Sequence, residues 1–580
     1  MMPAMIAAAF ALPTKAPARP LRHWLTLAFV FFLFLGGCAE LPAQVERPVS
    51  KALAQPEGTT LDTLAQNLRR NAKAADASGF LLLAGPQEAY SSRLALVQAA
   101  QKTLDLQYYT IHADASSGKL LRAVHAAAAR GVRVRILLDD FHATGKNAVV
   151  MRLAFEPNIE MRMFNPLAGS RGSFLSRMLN AAEDAGTLQQ RMHNKLFIAD
   201  NAMGVTGGRN LGDAYFGNDS NANFVDLDVL AAGPVVKDLS RSFDEYWNNE
   251  RAYPVQSLVT REEVDKLREQ AKRDDAEEER TAKDKPPAPD EPPMDIAKKQ
   301  FVWAPALVLA DKPGKIPLSA DAAKSGSPQA AQPGLVVRGG KPDGPARAAA
   351  SDDDSVVDGL LSLFGRAKSD LTIVSPYFVP GKDMKKALAD ARARGVKVRV
   401  LTNSLASNDA VAAHAGYARH REELLAMGVQ LYEMRSDQAA GSNGVGSGIT
   451  GSGSGGAGLG GSSGSSGIGG SSRSMLHSKL LTMDGRLVVI GSMNLDLRSQ
   501  LQNTEIAVLV RSEELTKLAN QRIEQAFRTG SWQVEKVDGR LVWHAPEGSG
   551  LADSTTEPQS TFKQRMMVRV IGPLAPDRLL

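Results

Sequence analysis

His193-Asn194-Lys195 is followed by Asp200, Gly207-Gly208 and Asn210, and His477-Ser478-Lys479 by Asp484, Gly491-Ser492 and Asn494. Both segments read H-x-K-x4-D-x6-G-[GS]-x-N, and every position of the second lies 284 residues after its counterpart. Two histidines, two lysines and two asparagines converging on one point suit displacement at phosphorus. The lysines and amides neutralise and hydrogen-bond non-bridging phosphoryl oxygens as charge builds in the transition state. One imidazole attacks phosphorus and the other protonates the leaving oxygen, because a pair of histidines straddles neutral pH. No cluster with metal-ligand spacing accompanies either segment, so chemistry without a metal or other cofactor is expected. Two copies in register imply a duplicated fold with one composite site.

The positioning elements follow from parity. Residues two apart share a face of a strand, so an extended segment after His193 points His193 and Lys195 the same way, and likewise His477 and Lys479. The remaining motif positions counted as catalytic, Asp200 and Asp484, fall on the opposite face, at the turn before the next strand. That parity favours holding the turn, or pairing with a base, over direct catalysis. The glycine pair lets the backbone pass close to a ligand, and Asn210 and Asn494 bring amide donors to it.

Around each motif the chain alternates strand and helix. Residues 103–111, 132–138 and 159–164 read as strands, 120–130 as an Ala-rich helix, and a closing helix lies near 235–247. The plan recurs at 371–377 and 384–394, and Gly395-Val-Lys-Val-Arg-Val-Leu401 echoes Gly131-Val-Arg-Val-Arg-Ile-Leu137. Such alternation predicts an α/β layered fold, present twice. The expected divisions are repeat 1 over 78–255, a linker over 256–352, repeat 2 over 353–535 and a tail over 536–580 without a reading of its own. The linker passes from a charged helical run at 261–285 into Pro/Ala-rich sequence expected to be partly disordered. Residues 441–470 are half glycine with much serine, a flexible loop ending just before His477, either a lid or a passive insertion.

The 580 residues are 43% hydrophobic and 23% charged, ordinary for a globular protein with several domains. Of the net charge of +5, three units come from Lys15, Arg19 and Arg22 in a leader without acidic residues. The near-neutral remainder gives no electrostatic argument for nucleic acid. The single cysteine, Cys38, excludes an internal disulfide. It follows an apolar run and Leu35-Gly36-Gly37, so residues 1–37 read as an export signal. The uncharged stretch between His23 and Glu40 is 16 residues, short of the ~20 that span a bilayer. An uncleaved anchor helix is the competing reading, and in both the body faces away from the cytoplasm. Residues 38–77 then form a tether.

The motif, with Gln107-Tyr-Tyr109, Gly207-Gly-Arg-Asn-Leu-Gly-Asp-Ala-Tyr-Phe216, Ser375-Pro-Tyr-Phe-Val-Pro380 and Asn494-Leu-Asp-Leu-Arg-Ser499, resembles the phospholipase D superfamily. It is most similar to bacterial cardiolipin synthases of the C type, and Leu-Gly-Gly-Cys resembles a lipoprotein signal with lipid attached at Cys38. The resemblance implies two phospholipase D-like α-β-α sandwich domains related by a pseudo-twofold axis around one shared active site. It also implies transfer of a phosphatidyl group through a phosphohistidine on His193, with His477 as acid and then base. Glu505, eleven residues after Asn494, and Asp226 in the first copy are the implied acids that brace the histidines. Gly208 stands where the usual pattern has serine. The implied reaction is cardiolipin synthesis, with phosphatidylglycerol as acceptor and phosphatidylglycerol or phosphatidylethanolamine as donor. Hydrolysis to phosphatidic acid, a nuclease and a non-catalytic envelope lipoprotein are the alternatives. The expected partner is a phospholipid membrane of the cell envelope, on its periplasmic side, with no nucleic acid; whether an accessory protein is required is left open by the sequence. Tyr108, Tyr109, Tyr377 and Phe378 are candidates for a lipid pocket or for ordinary core. His414, Tyr417 and Arg421 read as head-group contacts or a solvated helix face, and Asp139 and Asp140 as turn or cap residues.

Overall fold

Val134, Ile136, Leu137 and Leu138 in the first repeat, and Val398, Val400 and Leu401 in the second, are buried on parallel central strands. Near-continuous apolar runs of this kind need cover on both sheet faces. The computed structural model describes residues 41–74, 77–169, 171–172, 189–281, 291–316, 334–339, 354–437, 473–574 and 577. The leader, Cys38 and the 441–470 loop lie outside the described residues.

The first sheet is built from β1 (Ser78–Leu83), β2 (Thr103–Tyr108), β3 (Arg133–Asp139), β4 (Ile159–Phe164) and β5 (Leu196–Ala199). It continues with β6 (Met203–Gly207), β8 (Asp228–Ala232), β9 (Ala252–Pro254) and β10 (Val302–Ala304); β7 (Ala222–Val225) stands apart. Its strand order is β10-β1-β8-β6-β5-β2-β3-β4-β9.

The second sheet uses β11 (Ala306–Asp311), β12 (Leu335–Arg338), β13 (Asp370–Val374), β15 (Lys397–Asn403) and β16 (Gln430–Met434). To these it adds β18 (Leu480–Met483), β19 (Leu487–Gly491), β21 (Ile506–Arg511), β22 (Ser531–Val537) and β23 (Arg540–His544). Two-residue β14 (Phe378–Val379) pairs with β20 (Leu495–Asp496), and β17 (Arg473–Leu476) pairs with β7 of the first repeat. The order β12-β11-β21-β19-β18-β13-β15-β16-β22-β23 reproduces the first sheet strand for strand, with one strand added. In both sheets the two pairings that follow the β2 or β13 strand are parallel and the other main pairings antiparallel.

Three apolar cores give the layers. One covers the outer face of the first sheet and another the outer face of the second. The third joins both sheets and holds the apolar stripes of the Pro234–Trp247 and Glu513–Gln525 helices between them. This is a pair of α/β sandwiches packed back to back.

Two expected boundaries are corrected. Residues 302–311 belong to the cores rather than to a linker, since β10 completes the first sheet and β11 is the second repeat's counterpart of β1. The three residues of edge strand β10 carry too little periodicity to stand out, and β11, six residues long, is followed directly by Pro/Ala-rich sequence. The expected tail is also structured, because β22 and β23 form a hairpin on β16 and a further helix spans Phe562–Leu574. The charged run does form a helix, Arg261–Thr281. Among the described residues no helix is long and apolar enough to cross a membrane.

Candidate active site

The motif histidines lie in extended segments that run into equivalent central strands of the two sheets, β5 and β18, and each is tied by its backbone to the other repeat. The His193 amide donates to the Thr504 carbonyl (2.9 Å) and the Thr504 amide to the Arg191 carbonyl (3.0 Å). In the symmetric place the His477 and Ser478 amides donate to the Val225 carbonyl (2.8 and 3.1 Å). Thr504 precedes Glu505 and Val225 precedes Asp226, so each repeat delivers its acid to the other's histidine. The His193 Nδ1 lies 3.1 and 3.0 Å from the Glu505 carboxylate oxygens, and the His477 Nδ1 lies 2.6 Å from Asp226 Oδ2. A carboxylate on Nδ1 fixes the tautomer and leaves Nε2 for the reaction. His193 and His477 keep 7% and 6% of their surface exposed while Glu505 and Asp226 keep none, so the imidazoles form the reachable face.

Lys195 and Lys479 turn back so that each Nζ donates to its own histidine carbonyl, at 2.7 and 2.6 Å. Burial pushes the Lys195 ammonium down to about 7 and that of Lys479 to about 8, with the nearby carboxylates opposing the shift. Burial likewise drives His193 down to about 4 and His477 well below its ordinary value, so both rings are neutral in the free enzyme. Glu505 stays ionised, held down to about 2: burial opposes this, but His193, Lys195 and the Ser492 hydroxyl outweigh it. Burial wins at Asp226, whose carboxyl is raised despite Lys479 and Arg209. The result is a buried cluster in which two lysines and two imidazoles stand above two carboxylates, a donor set suited to the oxygens of a phosphodiester.

The duplicated motif, the repeated sheet and the crossed His–acid pairs agree with the family described as Cardiolipin synthase, PLD-like domain, which matches over residues 94–247 and 360–527. The chain belongs to this family. It is 34% identical over 499 residues to cardiolipin synthase C of Escherichia coli (strain K12), covering 85% of this chain and 94% of that protein. An uncharacterized protein of Helicobacter pylori (strain ATCC 700392 / 26695) is 30% identical over 573 residues, covering 96% of this chain and 99% of its own. Among solved structures, the phosphatidylserine synthase of Haemophilus influenzae Rd KW20 aligns over 81% of this chain and 91% of that one, at 12% identity and a TM-score of 0.48.

In this phospholipase D-like enzyme the motif aspartates stand outside the pocket, which corrects their place among the catalytic residues. The Asp200 carboxylate accepts from the Gln101, Lys102 and Thr103 amides at 3.0, 2.7 and 2.9 Å. Asp484 accepts from the Lys368 and Ser369 amides at 2.9 and 2.8 Å. Both adopt left-handed backbone, with φ of 51° and 53°, which aspartate tolerates better than most residues. They pin the turn after the motif strand to the start of the neighbouring one.

Asn210 donates to the Tyr215 hydroxyl (3.0 Å), and the buried Asn494 Oδ1 has no hydrogen-bond partner among the described residues. Gly208 is explained by Asp226: a Cβ there would collide with that carboxylate, so a serine does not fit. The equivalent Ser492 does fit, and its hydroxyl donates to Glu505 at 2.5 Å, with Ser499 adding a second donor at 2.9 Å.

The aromatic candidates separate. Tyr109 stands edge-on to His193 at 5.1 Å, and Tyr377 donates its hydroxyl to Asp409 (2.8 Å). Phe378 belongs to the outer core, and Tyr108 is buried with its hydroxyl on Arg93. Tyr215 and Phe224, at 5.3 and 5.0 Å from the His477 ring, wall the other side. Sequence reasoning did not single out these two, nor Ser499, because only the crossing of the repeats carries them to the site.

Asp139 accepts from the Met192 amide (2.9 Å) and pairs with Arg191, while Asp140 holds Leu167 and Arg171, so both brace the loops around His193. His414, Tyr417 and Arg421 form neither a head-group contact nor a solvated face. They are buried in a network with Glu433 and Glu557 that docks the C-terminal segment. Among the described residues no three His, Cys, Asp or Glu side chains converge as a metal-binding group.

Proposed function

We propose that this enzyme forms cardiolipin by moving a phosphatidyl group from phosphatidylglycerol or phosphatidylethanolamine to the free hydroxyl of phosphatidylglycerol. The observation that carries this reading is the crossed pair of imidazoles, each with Nδ1 on a buried carboxylate and both beside two buried lysines. The His193 Nε2 attacks the donor phosphorus, a P–N bond forms, and the bond to the head-group oxygen breaks. His477 gives that oxygen its proton. The acceptor hydroxyl then passes its proton to His477 and attacks phosphorus, and the P–N bond breaks.

His193 suits the nucleophile because its ring becomes cationic on attack and faces the firmly ionised Glu505. An arriving phosphodiester brings negative charge that favours protonation of the site; one proton taken up from solvent with the substrate sits on the His477 Nε2, while the His193 Nε2 stays unprotonated to attack. One phosphodiester is exchanged for another, so no nucleotide is consumed. Similarity to a cardiolipin synthase over most of both chains supports the lipid reading, as does the expected lipid anchor at Cys38 on the periplasmic side of the envelope.

The test is lipid analysis by mass spectrometry after the full chain meets labelled phosphatidylglycerol and phosphatidylethanolamine vesicles with EDTA present, beside His193→Ala. Cardiolipin that depends on His193, with label identifying the donor, is the expected result. Phosphatidic acid as the sole product would make the enzyme a hydrolase and overturn the transfer.

A further inference from the structure

The Phe562–Leu574 helix is mounted with its apolar side outward. Phe562 and Val570 are 72% and 56% exposed, and Met566 and Met567 are 40% and 39% exposed. Exposed Arg569 borders this stripe and exposed Lys563 lies within it, between Val570 and Met567. At 3.6 residues per turn these six side chains occupy roughly 160° of the helix surface. The opposite side carries Gln564, Arg565 and Val568, all partly buried, with Arg565 donating to the Ser560 carbonyl (2.6 Å) and hydroxyl (3.0 Å). A helix on a water-facing surface is ordinarily patterned the other way round.

The helix is held in this orientation at both ends by the Val411–Ala426 helix on which it packs. Before it, Glu557 pairs with Arg421 (3.0 Å) and His414 (3.4 Å). At its end, Arg419 donates to the Gly572 carbonyl, and Arg419 and His420 hold Asp577, the latter at 2.9 Å. Rolling the stripe inward would break these contacts. The segment has Lys563, Arg565 and Arg569 and no acidic residue. Apolar side chains interspersed with cations match the interfacial region of an anionic bilayer, where the phenylalanine and methionines enter the acyl boundary and the long basic side chains reach back to the phosphates.

We propose that this helix is a membrane-docking face that lies in the surface of an anionic phospholipid bilayer. The Val411–Ala426 helix also packs on β14, and β14 pairs with β20 immediately after Asn494, so one rigid support carries both the docking face and the site. Docking therefore sets the site at a constant height above the bilayer, resting on the lipid chemistry proposed above only for the choice of phosphatidylglycerol.

The experiment uses the full chain with Cys38→Ser and one spin label at Phe562→Cys, Val570→Cys or, as a reference on the β22–β23 hairpin, Val537→Cys. Each also carries His193→Ala, so that phosphatidylglycerol is not consumed, and is added to phosphatidylcholine vesicles with and without phosphatidylglycerol; failure of docking and failure of phosphatidyl transfer are then distinguishable. With phosphatidylglycerol, collisions of the 562 and 570 labels with a water-soluble nickel complex fall about tenfold and those with oxygen rise, while the 537 label is unchanged. High salt reverses part of this, and Phe562→Glu returns the 570 label to water. Labels at 562 and 570 that stay as open to nickel as 537 overturn docking. Dipolar broadening between 562 labels in the absence of vesicles also overturns it, by showing that the stripe meets a second copy of the chain.

Discussion

The two halves of the pocket share a backbone plan but differ in what stands behind each histidine. Behind His193, the longer Glu505 leaves room for Ser492 and receives two hydroxyl donors. Behind His477, the shorter Asp226 presses against Gly208, so no hydroxyl fits, and it keeps its charge less readily. A buried carboxylate stays ionised only where donors replace water. In the reaction proposed above, this difference suits one half-site to hold a lasting positive charge on its ring and the other to trade a proton. Duplication supplied the symmetry; one glycine and one methylene divided the work.

Removing the two imidazoles separately is the harshest test of that division. His193→Ala lowers transfer by about 10^4-fold or more and abolishes any acid-labile phosphoenzyme trapped with labelled lipid. His477→Ala costs about 10^2- to 10^4-fold, yet leaves the trapped species detectable when the donor carries a good leaving group. The reverse pattern would exchange the roles.

Next in size is the glycine–serine difference. Gly208→Ser forces Asp226 off its partner and lowers turnover about 100-fold, whereas Ser492→Ala removes one donor from Glu505 and costs about tenfold. Steady-state rates of the folded variants decide it, and equal losses would remove the distinction between the halves.

The lysines sharpen the comparison through pH. With Lys195 held down to about 7 and Lys479 to about 8, each loses its charge as pH rises through those values. The affinity of sulfate, whose own charge is constant here, falls between pH 6 and pH 9 (a range of about three units) in two steps, and Lys195→Met removes the lower one. Titration calorimetry reads both steps. The linkage to stability has one sign: Lys195 is lowered in the folded chain from its ordinary value of 10.5, so between about 7 and 10.5 the unfolded chain binds more protons. Stability from this group accordingly rises with pH across that window.

The smallest effects belong to the turn aspartates. Asp200 is fully buried and Asp484 partly exposed, so alanine costs about 3 kcal/mol at the first and about 1 kcal/mol at the second, with kcat nearly unchanged. Urea unfolding beside kinetics checks it, and a loss of kcat without loss of stability would return them to the chemistry.

Much of this was legible in the chain. The apolar/basic alternation in the Gly-Val-Arg/Lys-Val-Arg echo located central strands, because residues two apart share a face of a strand. Face parity also separated Lys195 from Asp200. The pairing of Glu505 with His193 and of Asp226 with His477 was not legible, since sequence spacing within a repeat says nothing about which repeat an exchanged loop will meet. Three-residue β10 was hidden for a different reason: a strand of a few residues draws its stability from its neighbour in the sheet, not from its own pattern.

The sequence by itself determined the chemistry on offer: two histidines and two lysines in duplicate register, a layered α/β plan and a family. Those are properties of residue type and local period, which a chain carries before it folds. Only the tertiary structure decided which acid serves which imidazole, why Gly208 has no side chain, and which side of the last helix faces out. Each depends on distances between segments far apart in the chain, and burial then converts those distances into charge states.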